Sequence, residues 1–179
     1  PNLVARANLA YEQMRRDNPG LTENMGNAHM NFLILAVAQM HLAGREREAR
    51  LWYNYMQTNY PEEEKIKAPF EEFATARIEE YVRKSGRNKA NSVLAALWRR
   101  HYRYLADGEG NAATMMKVLI RQVYDVYGER FAQADKVRVA LPEFEPFREV
   151  ILRQLIENPA GFSDTRAIKL CALLRIPYP

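Results

Sequence analysis

Apolar residues recur at spacings of three and four along most of the chain, the mark of helices with one buried face. The first such series predicts a helix over 2–17, with Leu3, Ala7, Ala10, Tyr11 and Met14 on one face. Asn18-Pro19-Gly20 stops it as a turn. Thr22, with Glu23 behind it, suits the start of a second helix that runs to about Ala43. Its centre, Phe32 to Ala38, is apolar nearly all round, which predicts burial on more than one side. A third helix spans about 45–59, and Glu46 and Arg50 sit at ion-pair spacing on it. Pro61 and Pro69 bracket a charged connector. Helices are then predicted over about 69–84, 89–106 and 112–127. Their inward positions are Phe70, Phe73, Ala74, Ile78 and Tyr81, then Ala90, Leu94, Leu97, Trp98, His101 and Leu105, then Met116, Leu119, Ile120, Val123 and Tyr127. Gly86, Gly108 and Gly128 mark their ends.

Residues 129–142 carry a weaker pattern, which reads as a short helix over 129–134 and an extended Val137-Arg-Val-Ala-Leu141. Pro142 and Pro146 flank the start of another helix through Phe147, Val150, Ile151 and Leu155. Ser163 suits the N-cap of a last one that ends near Arg175. No strand-rich region, linker or low-complexity tract divides the chain, so a single all-α domain over 1–179 is expected.

Residues 30–61 carry a pattern that recurs. Gly44 is placed to end one helix at positive φ, Ala49 is small enough to let the next helix lie close, and Tyr53 and Met56 follow on the same face before Pro61 stops it. Ala7, Leu9, Tyr11, Met14 and Pro19 repeat Ala49, Leu51, Tyr53, Met56 and Pro61, each 42 positions earlier. A weaker third copy aligns Leu97, His101, Tyr104, Gly108 and Ala113 with Leu33, Val37, Met40, Gly44 and Ala49, and breaks at Lys117 and Asp125. This arrangement resembles the tetratricopeptide family, whose helix–turn–helix of about 34 residues has a turn glycine, a small residue in the second helix and a closing proline. The family's Trp-Leu-Gly signature is absent.

The resemblance implies an α-solenoid of stacked antiparallel helix pairs, right-handed and tetratricopeptide-like, with irregular helices at the C-terminal end. It implies a non-catalytic interaction scaffold or assembly subunit that holds a partner peptide or helix in a groove lined by the first helix of each pair. Asn31, Ile34, Ala38 and His41 would then face that groove, joined by Trp98 and Tyr102 of the third copy. The first helix matches the second member of a pair. Without its own first member it should leave Leu3, Ala7, Ala10 or Tyr11 partly uncovered, on an edge that a preceding helix or a neighbouring subunit would close.

Composition adds little beyond this. Hydrophobic residues make up 47% and charged residues 27%, an ordinary balance for a globular chain. No apolar run approaches the ~18 residues that span a bilayer. The single Cys171 excludes an internal disulfide and reads as a buried thiol. That leaves the compartment open. It is the cytoplasm, or the bacterial periplasm or envelope if a signal peptide was removed, since Tyr53-x-x-Met-x-Thr-Asn-Tyr-Pro61 resembles helix ends of tetratricopeptide-like envelope lipoproteins.

The net charge of +4 is unevenly spread. From Glu62 to Glu80 there are seven acidic and three basic residues, and from Arg83 to Arg103 seven basic and none acidic. The second block interleaves Arg99 and Arg103 with Trp98 and Tyr102, which raises the alternative of a nucleic-acid-binding helical protein using segment 83–103. His29, His41 and His101 lack metal-ligand spacing, no glycine-rich phosphate loop or nucleophile elbow occurs, and the carboxylates are mostly adjacent pairs. No enzyme activity, cofactor or metal is therefore expected. His101, on an apolar face, is expected to be a hydrogen-bonded core residue.

Overall fold

The computed structural model describes residues 3–131, 140–158 and 160–179. Among these it is all-α, with helices α1 (Leu3–Asp17), α2 (Thr22–Leu42), α3 (Glu46–Asn59), α4 (Phe70–Lys84), α5 (Arg87–Ala106), α6 (Gly110–Arg130), α7 (Phe144–Glu157) and α8 (Asp164–Leu174). Most of the predicted extended segment, 137–139, lies outside the described residues. The chain forms two compact units, residues 1–77 and 78–179.

In the first unit α2 packs against both α1 and α3. This is why its centre needs apolar residues on two sides. Leu33, Val37 and Met40 from α2 meet Ala49, Tyr53 and Met56 from α3, and Phe70, Phe73 and Ala74 of α4 complete the core. The connector between α3 and α4 is pinned from beneath. The Tyr53 hydroxyl donates toward the carbonyls of Ile66 and Ala68, and Gln57 Nε2 donates to Ile66 O at 2.9 Å. Tyr53→Phe is expected to cost about 1 kcal/mol in urea titration, since it removes one donor from buried carbonyls and little volume. An unchanged midpoint would show that the connector holds without it. The predicted Glu46–Arg50 pair forms at 3.2 Å, and Arg50 also bonds Glu71 and lies over the Phe70 ring, which ties α4 to α3.

In the second unit α5 is the hub, packed against α6, α7 and α8. Trp98 is fully buried on it, with the rings of His101, Tyr102 and Phe144 around it at 5.3, 5.8 and 5.2 Å. Arg166 of α8 grips Asp107 at the end of α5 through both carboxylate oxygens, at 2.9 and 3.1 Å. Helix α6 continues past Gly128 to Arg130, two residues beyond the expected stop. Arg130 explains the extension, because its guanidinium donates to the carbonyls of Arg83 and Ser85 at the end of α4 and anchors the last turn.

The hairpins α2–α3 and α5–α6 turn in the same way. Gly44 (φ 74°) and Gly108 (φ 81°) are both left-handed. Gly44 N bonds His41 O and Arg45 N bonds Met40 O, while Gly108 N bonds Leu105 O and Glu109 N bonds Tyr104 O. This paired closure satisfies two orphan carbonyls at each helix end and needs positive φ at its centre, which only glycine adopts freely. Five residues on from each glycine a small residue is sealed in the hairpin: Ala49 at 0% exposure and Ala113 at 1%. Helix α8 ends instead with Arg175 in the left-handed region at φ 57°. Arg175→Gly should raise stability by up to about 1 kcal/mol, by relieving the clash a Cβ makes there. A fall in melting temperature would argue against that relief.

Candidate functional site

Helix α1 is turned about one residue from the expected face. Its only buried residue is Asn8. Val4, Ala7, Tyr11, Glu12 and Arg15 are half-buried, whereas Leu3, Ala10 and Met14 are exposed. Two series share the same helical spacing here, Leu3-Ala7-Ala10-Met14 and Val4-Asn8-Tyr11-Arg15. The structure buries the second, although it contains Asn and Arg, because both find partners on α2 and after α3.

Those partners form a polar cluster that joins α1, α2 and the end of α3. His29 of α2 is 1% exposed. Its Nε2 lies 2.8 Å from Asn8 Oδ1 and its Nδ1 2.7 Å from the Tyr60 hydroxyl. The imidazole stacks on Tyr11 with ring centres 4.9 Å apart. Asn8 Nδ2 and the Tyr55 hydroxyl both donate to Glu12 Oε1, at 2.9 and 2.7 Å. Arg15 donates to the Tyr60 oxygen at 3.4 Å. Burial holds the His29 imidazole below its ordinary value, and the nearby Arg15 guanidinium adds to this against a smaller opposite pull from Glu12. The Tyr55 hydroxyl bond holds the Glu12 carboxyl below its usual range, with help from Asn8 and Arg16. Tyr55 is pushed up to about 12, by burial first and by its bond to Glu12 next.

The cluster opens into a surface pocket of about 370 Å³ lined by Glu12, Arg15, Arg16, Tyr55 and Asn59. Glu12 already accepts from Asn8 and Tyr55 and pairs with Arg16, and Arg15 donates to Tyr60, so what the pocket can offer a ligand is the remaining N–H groups of Arg15 and Arg16. It offers a polar notch, and no group of three metal-binding side chains occurs among the described residues.

The residues expected to bind a partner divide sharply. Asn31 is exposed and Ile34 half-buried on α2, with Leu35, 53% exposed, beside them. Ala38 is buried, and so is His41, whose Nδ1 bonds Glu46 Oε2 across the hairpin turn at 2.9 Å and whose ring meets Phe70. Trp98 and Tyr102 are buried on α5 and cannot face a groove, because they form the centre of the second unit. Arg99 and Arg103 are exposed on α5, Arg99 within 3.4 Å of Gln154 Oε1. His101 is the core histidine its position predicts, its Nδ1 bonded to Ala113 O at 2.8 Å.

Sequence reasoning missed Asn8, His29, Tyr55 and Tyr60. The one signal available was an asparagine and an arginine at the spacing of an otherwise apolar series, beside a histidine in an apolar helix. No helix among the described residues is long and apolar enough to cross a membrane. No family model, curated protein or solved structure matches the chain.

Proposed function

We propose that the chain is a non-catalytic interaction scaffold, tetratricopeptide-like in its helix pairing, that takes a partner helix on the outer face of α1. The observation that carries this reading is the apolar stripe Leu3-Ala7-Ala10-Met14, half-buried at Ala7 and exposed at the other three, with Leu3 78% and Met14 46% exposed. Apolar residues at this spacing line a seam for a neighbouring helix, and the two alanines at its centre permit close approach. In α3 the equivalent residues Ala49, Tyr53 and Met56 are buried against α2. On α1 the counterpart Tyr11 packs on His29 and Phe32, while Ala7 is half-buried and Met14 is exposed. The repeated glycine turn of α2–α3 and α5–α6 supports the same family of architecture. On α2, Asn31, Ile34 and Leu35 offer a second, smaller contact face.

A photo-crosslinking residue placed at Met14 of the full chain, in the cells that produce it, should yield one discrete protein adduct. Ala10→Arg with Leu3→Asp should abolish that adduct and leave the melting temperature unchanged, because exposed substitutions rarely move stability by more than about 0.5 kcal/mol. A missing adduct, or one that survives the double substitution, would refute the proposal. So would an equal adduct from a probe at exposed Glu149.

The nucleic-acid reading keeps only its charges. With Trp98 and Tyr102 buried, base stacking on α5 is lost, and Arg99 and Arg103 remain as phosphate contacts. Any binding of a single-stranded oligonucleotide is expected to be weak and to vanish between about 50 and 200 mM salt. Fluorescence anisotropy showing salt-resistant binding would reinstate that function.

A further inference from the structure

We propose that Asn8, His29 and Tyr60 form a one-way hydrogen-bond relay that docks α1 only while His29 is uncharged, so that mild acid releases α1 from α2 and α3. This goes beyond the scaffold reading and does not depend on it.

The direction of the relay follows from its ends. Asn8 Nδ2 must point at Glu12, because the reverse orientation would set its amide oxygen against a carboxylate oxygen 2.9 Å away. Asn8 Oδ1 therefore faces His29 Nε2 at 2.8 Å, and Nε2 must carry the hydrogen. A neutral imidazole has one such hydrogen, so Nδ1 is the acceptor and takes the Tyr60 hydroxyl proton at 2.7 Å. The Tyr60 oxygen in turn accepts from Arg15. Both ring nitrogens are thus committed, Nε2 as donor to Asn8 and Nδ1 as acceptor from Tyr60. A proton added at Nδ1 would turn that nitrogen from acceptor to donor, so the Tyr60 hydroxyl would have to rotate away and give up its bond to the ring. It would also place a buried cation beside the Arg15 guanidinium.

The groups that face His29 are few. From α1 they are Asn8, Tyr11, Glu12 and Arg15, and from α3 and its end Tyr55 and Tyr60. Helix α2 places no second titratable residue within a turn of it. Glu12 alone favours the cation, and it acts through Asn8 while held by Tyr55 and Arg16. Asn8 is the one fully buried residue of α1, so the relay is the buried polar part of a seam that also includes Val4 and Ala5 against the core and Tyr11 against His29 and Phe32.

The sign follows from linkage. Released His29 regains its ordinary value of 6.5, above its docked value, so the released state binds more protons. Docking is at full strength above about pH 6.5 and weakens as pH falls below it, by at most about tenfold per pH unit for one group. Glu12, whose value is depressed, loses its contribution only in a separate, lower window below its ordinary 4.5.

Amide hydrogen exchange on the full chain from pH 7.5 to 5.5, corrected for the intrinsic rate, tests this. The α1 amides should lose up to about tenfold protection per pH unit below 6.5 while those of α6 hold theirs. His29→Gln, which can still donate to Asn8 without titrating, should flatten the α1 response. Protection of α1 that stays constant in the wild type, or that falls equally in His29→Gln, overturns the proposal. A loss that starts only near pH 4.5 also overturns it, by assigning the effect to Glu12. If His29→Gln does not fold, nitrogen chemical shifts of the wild-type imidazole decide. An Nε2–H tautomer at pH 7.5 that titrates together with α1 release supports the relay. An Nδ1–H tautomer, or titration with α1 unchanged, refutes it.

Discussion

Trp98→Ala is expected to destabilise the chain by about 3–5 kcal/mol, the usual cost of emptying a large aromatic site in a core. Trp98 has no exposed surface, and three aromatic rings from α5 and the start of α7 pack around it. Since α5 contacts α6, α7 and α8, the cavity would open where those helices meet α5. Part of the loss should be recoverable. The Trp98 indole nitrogen is buried with no hydrogen-bond partner among the described residues, so the side chain contributes through packing and not through its donor. Trp98→Phe keeps an aromatic ring and removes that orphan donor, and it should cost much less than Trp98→Ala. Urea titration followed by circular dichroism measures both. If Trp98→Ala left stability intact but weakened oligonucleotide binding, Trp98 would be a stacking residue and the burial argument would fail.

The helices themselves were legible because each carries its own period. Apolar spacing, turn glycines and prolines are local signals, and the observed ends fall within a few residues of those expected from them. Where they diverge, a distant partner is responsible. Helix α6 outlasts Gly128 because Arg130 reaches the carbonyls that end α4, some 45 residues earlier in the chain. The phase of α1 diverges for the same kind of reason. Leu3, Ala7, Ala10 and Met14 form the more apolar series, and only the presence of His29, Tyr55 and Tyr60 opposite makes Asn8 and Arg15 the better face to bury.

The site was less legible than the fold. Asn31 is exposed and Ile34 half-buried on α2. His41 is buried, because Glu46 waits across the Gly44 turn to hold it. Trp98 and Tyr102 share a basic, aromatic segment with Arg99 and Arg103, yet helical geometry sends the rings inward and the guanidinium groups outward. Interleaving in sequence thus separated in space what a nucleic-acid site would need together. The α1 cluster draws its residues from three segments, with bonded pairs up to 45 positions apart, so no local motif marks it.

Ala49→Leu should destabilise the first unit by about 1–3 kcal/mol, the cost of forcing extra volume into a packed seam. Ala49 is fully buried where α2 meets α3, next to Leu33, Met40 and Tyr53 in the same core. Its amide bonds the Arg45 carbonyl, so the residue lies in the first turn after the glycine closure and has little room to shift. Ala113 stands in the same relation to Gly108 and Glu109 in the second unit. Ala113→Leu is therefore expected to cost a similar amount, with one difference of mechanism. The Ala113 carbonyl accepts from the His101 ring, so a displaced α6 would also strain that bond. Val37, the counterpart of His101, makes no such demand on Ala49. Hydrogen exchange of α3 in the first variant and of α6 in the second reads each effect in its own hairpin. Equal losses confined to the substituted hairpin are the expected result. Stability unchanged in Ala49→Leu would remove the residue from the helix seam and with it the main physical support for treating the two hairpins as copies of one unit.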